Sequence, residues 1–334
     1  MPNSEINLRD VYLARQRINS LALKTPLIES YELSQKTGVE VYFKAESLQV
    51  TGSFKLRGAV NKISSLSNED KARGIITVSS GNHGRAVSYV ANRLGMDAVI
   101  CVSKRVPDNK LAGIRRYRAQ LVVEGDTYEQ AEEVALRLQH ERRLVRIDPF
   151  DDPYVIAGQG TLGLELMEDL PQLRMALVPV SGGGLISGVG IALKSADPSI
   201  RLIGVAMEKG AVMVESLRVG HLVELREEPT LADGLAGAVP FDNRYTFRLC
   251  QQYVDEMVLV SEEEIAQAMA FALAEHHLIV EGSGAVGIAA LMHKKVAPLE
   301  GPVVVVLSGA NVDLPVLLNI ARQQGLSDSQ SSTS

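Results

Sequence analysis

The sequence predicts an α/β protein with parallel-rich sheets flanked by helices. Three observations lead there. Short apolar runs rich in β-branched residues recur along the chain. Amphipathic segments of helical period separate them, and glycine- or serine-rich turns join one to the next. Strands linked by long helical crossovers run parallel and bury both faces.

Taken in order, strands are expected at Val41–Lys44, 74–78, Ala98–Val102, 120–124, 175–180, Arg201–Met207, 257–260 and 303–307. Helices are expected at 83–94, 127–139, 185–196 and 262–275, where apolar residues return every three or four positions. The run 303–307 is apolar throughout, as a central strand requires. No repeat of solenoid length appears. The end of the chain, 325–334, is dominated by serine and is expected to be disordered.

Composition narrows the function. The hydrophobic fraction of 46% and charged fraction of 22% are ordinary for a globular protein. A net charge of −6 argues against a general nucleic-acid surface. Trp is absent and aromatics make up 4%, so extended base-stacking platforms are not expected. Cys101 and Cys250 match no metal-ligand spacing and read as buried free thiols, which suits a reducing compartment. The N-terminus lacks a secretory pattern, and no apolar run nears the ~20 residues needed to cross a bilayer. Cytoplasm is the expected location, with no membrane partner.

Four runs carry candidate chemistry. In Thr51-Gly52-Ser53-Phe54-Lys55-Leu56-Arg57-Gly58, a lysine among small residues stands at the start of a helical pattern. A buried lysine amine loses proton affinity and can form a Schiff base, whereas most lysines are solvated. Ser79-Ser80-Gly81-Asn82-His83-Gly84 joins a strand to a helix and offers backbone N–H groups suited to a carboxylate. A simple cap would explain one polar residue there, not the run. Ser181-Gly182-Gly183-Gly184-Leu185 also joins strand to helix, and adjacent glycines let several N–H groups reach a phosphate. Its spacing misses both the Walker loop and the dinucleotide fingerprint, although a nicotinamide cofactor stays a rival for this loop by itself. Leu307-Ser308-Gly309-Ala310-Asn311 closes the last strand with a hydroxyl that could face a heteroaromatic nitrogen.

Together with Ile-Ala-Gly-Gln-Gly-Thr at 156–161, these ordered runs resemble the fold-type II (tryptophan synthase β-like) PLP enzymes, and within them the threonine dehydratase and serine racemase family. The resemblance spans 8–324. Further segments, such as Met207-Glu208-Lys209-Gly210-Ala211, Phe241-Asp242-Asn243-Arg244 and Val280-Glu281-Gly282-Ser283-Gly284-Ala285, are similar to the hydroxyectoine-utilisation dehydratase branch.

The resemblance implies pyridoxal 5'-phosphate as cofactor and a small amino acid as substrate. Lys55 would carry the cofactor and take the Cα proton. Phe54 would pack beside the ring, Asn82 would contact the ring hydroxyl, and Ser308 would face the pyridine nitrogen. Gly182, Gly183, Gly184 and Leu185 would bind the phosphate. Ser80, Asn82 and His83 would hold the substrate carboxylate, partly through main-chain amides, and Ser80 matches the hydroxyl that serves the opposite face in racemases. The implied reaction is α,β-elimination to a 2-keto acid and ammonia; racemisation, β-replacement and 3-hydroxyaspartate dehydration are the alternatives on the same scaffold. It further implies a large domain from residues 1–70 and 151–324, a small inserted domain at 71–150, and a homodimer or homotetramer.

Some features depart from the pattern. Ser181 stands where many relatives carry another glycine. Glu208 matches the first ligand of the racemase metal site, but Val214 occupies a later acidic position, so no divalent metal is expected there. No effector domain follows the last motif, so a catabolic enzyme without isoleucine feedback is expected. Arg244 reads as a surface residue at a helix start or as a reader of a second carboxylate. His276-His277 reads as a solvated helix end.

Overall fold

The computed structural model describes residues 6–325; all of the expected tail except Gly325 lies outside the described residues. The strands are β1 (Leu27–Glu29), β2 (Val41–Lys44), β3 (Ile75–Val78), β4 (Ala98–Val102), β5 (Gln120–Val123), β6 (Val145–Arg146), β7 (Met175–Pro179), β8 (Arg201–Met207), β9 (Glu256–Val260) and β10 (Val303–Val306). They form a six-stranded sheet in the order β1-β2-β10-β7-β8-β9 and a four-stranded sheet in the order β5-β4-β3-β6. Every pairing is parallel except β1 with β2.

The strand residues divide between two cores, as a two-residue period requires. In β10, Val303 and Val305 join the core under the Glu262–His276 and Gly282–Met292 helices. Val304 and Val306 join the core under the Pro153–Asp169 and Gly184–Ala196 helices. Every residue of β10 is buried, which explains why its sequence shows no polar alternation. The smaller sheet behaves alike. Ile100 of β4 faces Leu56, Val60 and Val87, while Val99 and Cys101 face Val134 and Leu138.

Most expected strands recur within one residue of their predicted ends. Two strands, β1 and β6, with three and two residues, are not expected from the sequence. Strands that short hold no readable period. The four expected helices are present as Asn82–Leu94, Tyr128–Arg142, Gly184–Ala196 and Glu262–His276. Thr127 caps the second, and Ser261 and Glu264 form a capping box on the fourth. Both cysteines are free and buried. The reading of His276 as solvated is corrected: its Nε2 lies 3.0 Å from Ser30 Oγ, and its ring packs against Phe43 and Phe271. Ser30 and Phe43, from earlier in the same chain, and Phe271 of the helix itself cover that imidazole, while His277 stays exposed. No helix among the described residues is long and apolar enough to cross a membrane.

The Lys55–Ser64 helix sits at the junction of the two sheets. Leu56, Val60 and Ile63 enter the core of the smaller one, while Gly58 lies against Val155 and Gln159 of the Pro153–Asp169 helix. Arg57 is wholly buried and holds two carboxylates at once. Its Nε and Nη2 donate to Glu46 at 2.8 and 2.7 Å, and its Nη1 and Nη2 donate to Glu165 at 2.6 and 2.8 Å. The buried Lys44 adds a 2.6 Å ion pair to Glu165. This network anchors the first turn of the helix that begins at Lys55.

Candidate active site

Three of the four candidate motifs directly follow the carboxyl ends of parallel strands, where open α/β sheets place ligands. Ser79–Gly84 follows β3, the glycine run follows β7, and Ser308 follows β10. β7 and β10 are neighbours.

The segment before Lys55 is laid against the end of β10. Ser53 forms a bridge with Gly309, and the Phe54 N–H donates to the Ser308 carbonyl at 3.0 Å. Gly52 turns the chain with φ of +75°, and a Cβ there would stand 2.6 Å from Asn311 Oδ1. Lys55 then opens the helix. Its Nζ donates to the Pro149 carbonyl at 2.7 Å and lies 5.3 Å from the centre of the Phe54 ring. The residue as a whole is half-buried, but its amine is surrounded by protein. Burial pushes the ammonium down to about 8, against an opposing pull from Asp148.

The Pro149 loop links this amine to the glycine run. Side chains at Gly182 and Gly184 would run into Phe150, the residue after Pro149. Gly183 has φ of +85°, and a Cβ there would sit 2.9 Å from Cys250 Sγ. No side chain caps the helix that begins at Gly184, so its first N–H groups are free for an anion. Asp148 Oδ1 accepts the N–H groups of Phe150 and Asp151 at 2.9 and 2.6 Å. Asp151 in turn accepts from Arg244, Tyr245 and Thr246 at 2.6, 2.9 and 2.9 Å, tying down the start of the Thr246–Tyr253 helix. Arg244 itself is exposed and takes part through its backbone, which fits the helix-start reading.

At the third motif, Asn82 is the first residue of its helix, which also lacks a side-chain cap. A Cβ on Gly81 would meet nothing within 4 Å, so this turn borders open space. Ser80 is half-buried beside it. The His83 imidazole is buried with Nε2 3.1 Å from the Ile147 carbonyl, and burial pushes it down to about 3. It is therefore neutral and engaged, leaving the His83 backbone N–H as its means of holding a carboxylate. Ser308 is 3% exposed, and its hydroxyl makes only a long 3.4 Å bond to the Ser283 carbonyl.

Two further groups meet Asn82. Its Nδ2 donates to Glu281 Oε1 at 2.7 Å, and its Oδ1 accepts from Asn311 Nδ2 at 2.6 Å. Burial, reinforced by nearby Asp233, pushes the Glu281 carboxyl up to about 7. The sequence by itself assigns no role to Glu281, Asn311 or the Asp148–Asp152 loop. The loop was detectable as a run of turn and cap residues before a proline, but its partners lie more than 90 positions away.

These donors suit one kind of guest. An enclosed amine that loses its proton near neutrality can bond an aldehyde. An uncapped helix start preceded by glycines can seat a phosphate. A weakly engaged hydroxyl and an amide N–H remain for a ring nitrogen and a ring oxygen. Pyridoxal phosphate has all four features.

Comparison with known proteins agrees. Residues 18–309 match the family described as pyridoxal-phosphate dependent enzymes. The chain belongs to that family. The L-threonine ammonia-lyase of Thermotoga maritima is 45% identical over 313 residues, covering 93% of this chain and 77% of the relative. The L-threonine ammonia-lyase of Geobacter sulfurreducens is 41% identical over 313 residues, covering 94% and 77%. Maize serine racemase superposes with a TM-score of 0.90 at 33% identity, covering 96% of this chain and 98% of that one. The processed threonine deaminase isoform 2 of Solanum lycopersicum gives 0.87 at 36%, covering 97% of each. The fold is therefore the parallel-rich α/β arrangement of these enzymes, and the chain is a PLP-dependent lyase.

Proposed function

We propose that this enzyme removes water and then ammonia from a small β-hydroxy amino acid, leaving a 2-keto acid. The observation that carries the reading is the Pro149–Phe150 loop. It places the carbonyl that receives Lys55 Nζ next to the residue walling the Gly182–Gly184 turn. A single ligand can therefore be held at both ends. The threonine ammonia-lyase relatives favour elimination, with L-threonine or L-serine as substrate. A hydroxyectoine-derived amino acid is the narrower choice within this proposal.

Bound PLP supplies the electron sink that makes the Cα proton acidic. The residues of this chain do the rest. Lys55 holds the cofactor, and once released it moves the Cα proton, for which an amine titrating near 8 is suited. The N–H groups of Gly182, Gly183, Gly184 and Leu185 hold the phosphate. Ser308, buried with a hydroxyl held only by a long bond to the Ser283 carbonyl, would face the ring nitrogen, where a hydroxyl is a weaker partner than a carboxylate for a protonated ring. Phe54 would line the ring, and Asn82 would donate to its oxygen. The N-terminal turn at Asn82 and His83, with Ser80, receives the substrate carboxylate. We further propose that residues 71–150 move as a small domain over the cleft, that the chain works in the cytoplasm, and that it forms a homodimer or homotetramer.

The likeness to maize serine racemase, with Ser80 beside the open turn, supports racemisation as the second reading. Product analysis separates the two. Keto acid with ammonium marks the lyase, and the D-amino acid marks the racemase. The substrate is found by measuring both products with threonine, serine, 3-hydroxyaspartate and 3-hydroxy-2,4-diaminobutyrate. Preference for the last supports the hydroxyectoine branch, and preference for threonine removes it. A cofactor absorption band that survives in Lys55→Ala would overturn the assignment of Lys55.

A further inference from the structure

Three other segments meet at Asn311, two of them at its side chain. Its Oδ1 accepts from Arg85 Nη1 of the Asn82–Leu94 helix. Its Nδ2 donates to the Thr51 carbonyl at 2.9 Å and to Asn82 Oδ1 at 2.6 Å. Its backbone N–H donates to Glu281 Oε2 at 2.9 Å. Glu281 Oε1 accepts from Asn82 Nδ2 at 2.7 Å, which closes a ring of hydrogen bonds. Two glycines leave the necessary room. A side chain at Gly309 would collide with the Glu281 carboxylate, and one at Gly52 would collide with Asn311.

The direction of each bond is forced from the outside. A guanidinium only donates, so the end of Asn311 facing Arg85 must be its oxygen. A backbone carbonyl only accepts, so the end facing Thr51 must be the nitrogen. Asn82 must then turn its oxygen toward Asn311 and its nitrogen toward Glu281. The oxygen and nitrogen of an amide are ordinarily hard to tell apart, but here fixed-role partners decide the choice. One N–H of Asn82 is committed to Glu281, and the other remains.

We infer that Asn311 and Glu281 are positioning residues that fix the Asn82 amide as a hydrogen-bond donor to the ring oxygen of the cofactor. The inference rests on the PLP reading above and adds the means by which the ring oxygen is kept ionised. A donor at that oxygen favours its anionic form, whereas an amide turned the other way would present an oxygen and favour the protonated ring hydroxyl.

The test uses the holoenzyme and the absorption of its bound cofactor, with no substrate present. Two variants perturb the ring of bonds. Asn311→Asp cannot donate to Asn82. Glu281→Gln is close in size but carries only one oxygen for two donors, Asn82 Nδ2 and the Asn311 N–H. Both are expected to raise the share of the shorter-wavelength band of the neutral ring hydroxyl, Asn311→Asp more strongly. Asn311→Asp is expected to weaken PLP binding roughly tenfold or more, the worth of a hydrogen bond to a charged group. Asn82→Leu should have an effect at least as large. Combining Asn82→Leu with either variant should add little, because both act through that side chain. If Asn311→Asp does not fold, the cycle is read from Glu281→Gln. Unchanged spectra in folded variants, or additive losses in the combinations, would overturn the inference. Failure of the wild-type chain to bind PLP would instead overturn the functional reading on which it rests.

Discussion

Replacing Arg57 by Met tests whether the charges beneath Lys55 hold its helix in place. Methionine matches much of the arginine volume but leaves Glu46 buried at 0% exposure without the guanidinium. Glu165 keeps its 2.6 Å pair with Lys44, so the damage centres on Glu46. Breaking a buried pair by removing one partner costs about 3–5 kcal/mol, a large part of the ~5–15 kcal/mol that holds a typical domain folded.

The sign of the pH dependence separates this mechanism from a simple packing loss. In the wild type, burial pushes the Glu46 carboxyl up, but the opposing pull of Arg57 and its hydrogen bonds prevails and the net shift is downward. A lowered carboxyl contributes stability that is present above its ordinary range and lost as pH falls through the folded value. Without Arg57, burial dominates and the carboxyl titrates above its ordinary value, so acid relieves the penalty. The deficit of Arg57→Met, measured by equilibrium urea unfolding, should therefore shrink between about pH 8 and about pH 5. The double variant Arg57→Met, Glu46→Leu should recover most of the loss. A single variant that unfolds at the wild-type midpoint, or a deficit equal at both pH values, would refute the reasoning.

Three other outcomes are expected. Gly183→Ala puts a Cβ on a residue at φ of +85° and 2.9 Å from Cys250 Sγ. A left-handed residue with a Cβ costs about 1–2 kcal/mol, so PLP titration should show roughly tenfold weaker binding with an otherwise folded protein. Gly188→Ala pushes a Cβ onto the Ile156 carbonyl and within 2.5 Å of Gly160 N, where two helices cross. Overpacking of this kind costs about 1–3 kcal/mol, and the urea midpoint should fall accordingly. The rate at which PLP re-enters stripped enzyme should rise with pH through about 8 and then level off, because only the unprotonated Lys55 amine attacks an aldehyde. The Asp148 charge opposes the effect of burial on that amine. Asp148→Asn should therefore move the midpoint lower, and a midpoint near the ordinary lysine value of about 10.4 would count against an enclosed amine.

The legible parts of the molecule were those encoded over a few residues. β2, β4 and β8 end where the apolar runs end. The glycine run and Lys55 stand at the helix starts expected of them. The less legible parts were compound. His276 reads as a solvated helix end until Ser30, Phe43 and Phe271 are seen to cover it. Asp148 and Asp151 carry no role in the sequence, and only in the folded chain do their oxygens collect five backbone N–H groups.

What the amino-acid order determined by itself was local: where backbone can bend left-handed, where a helix begins without a cap, and which strands are apolar on both faces. It also determined which reactive groups exist. Tertiary structure decided which of them face one another and in which direction each hydrogen bond runs. Arg85 and Asn311 are 226 positions apart, and Asn311 and Thr51 are 260 apart. An amide has no preferred end in isolation. Its orientation is set only when the folded chain brings an obligate donor to one side and an obligate acceptor to the other.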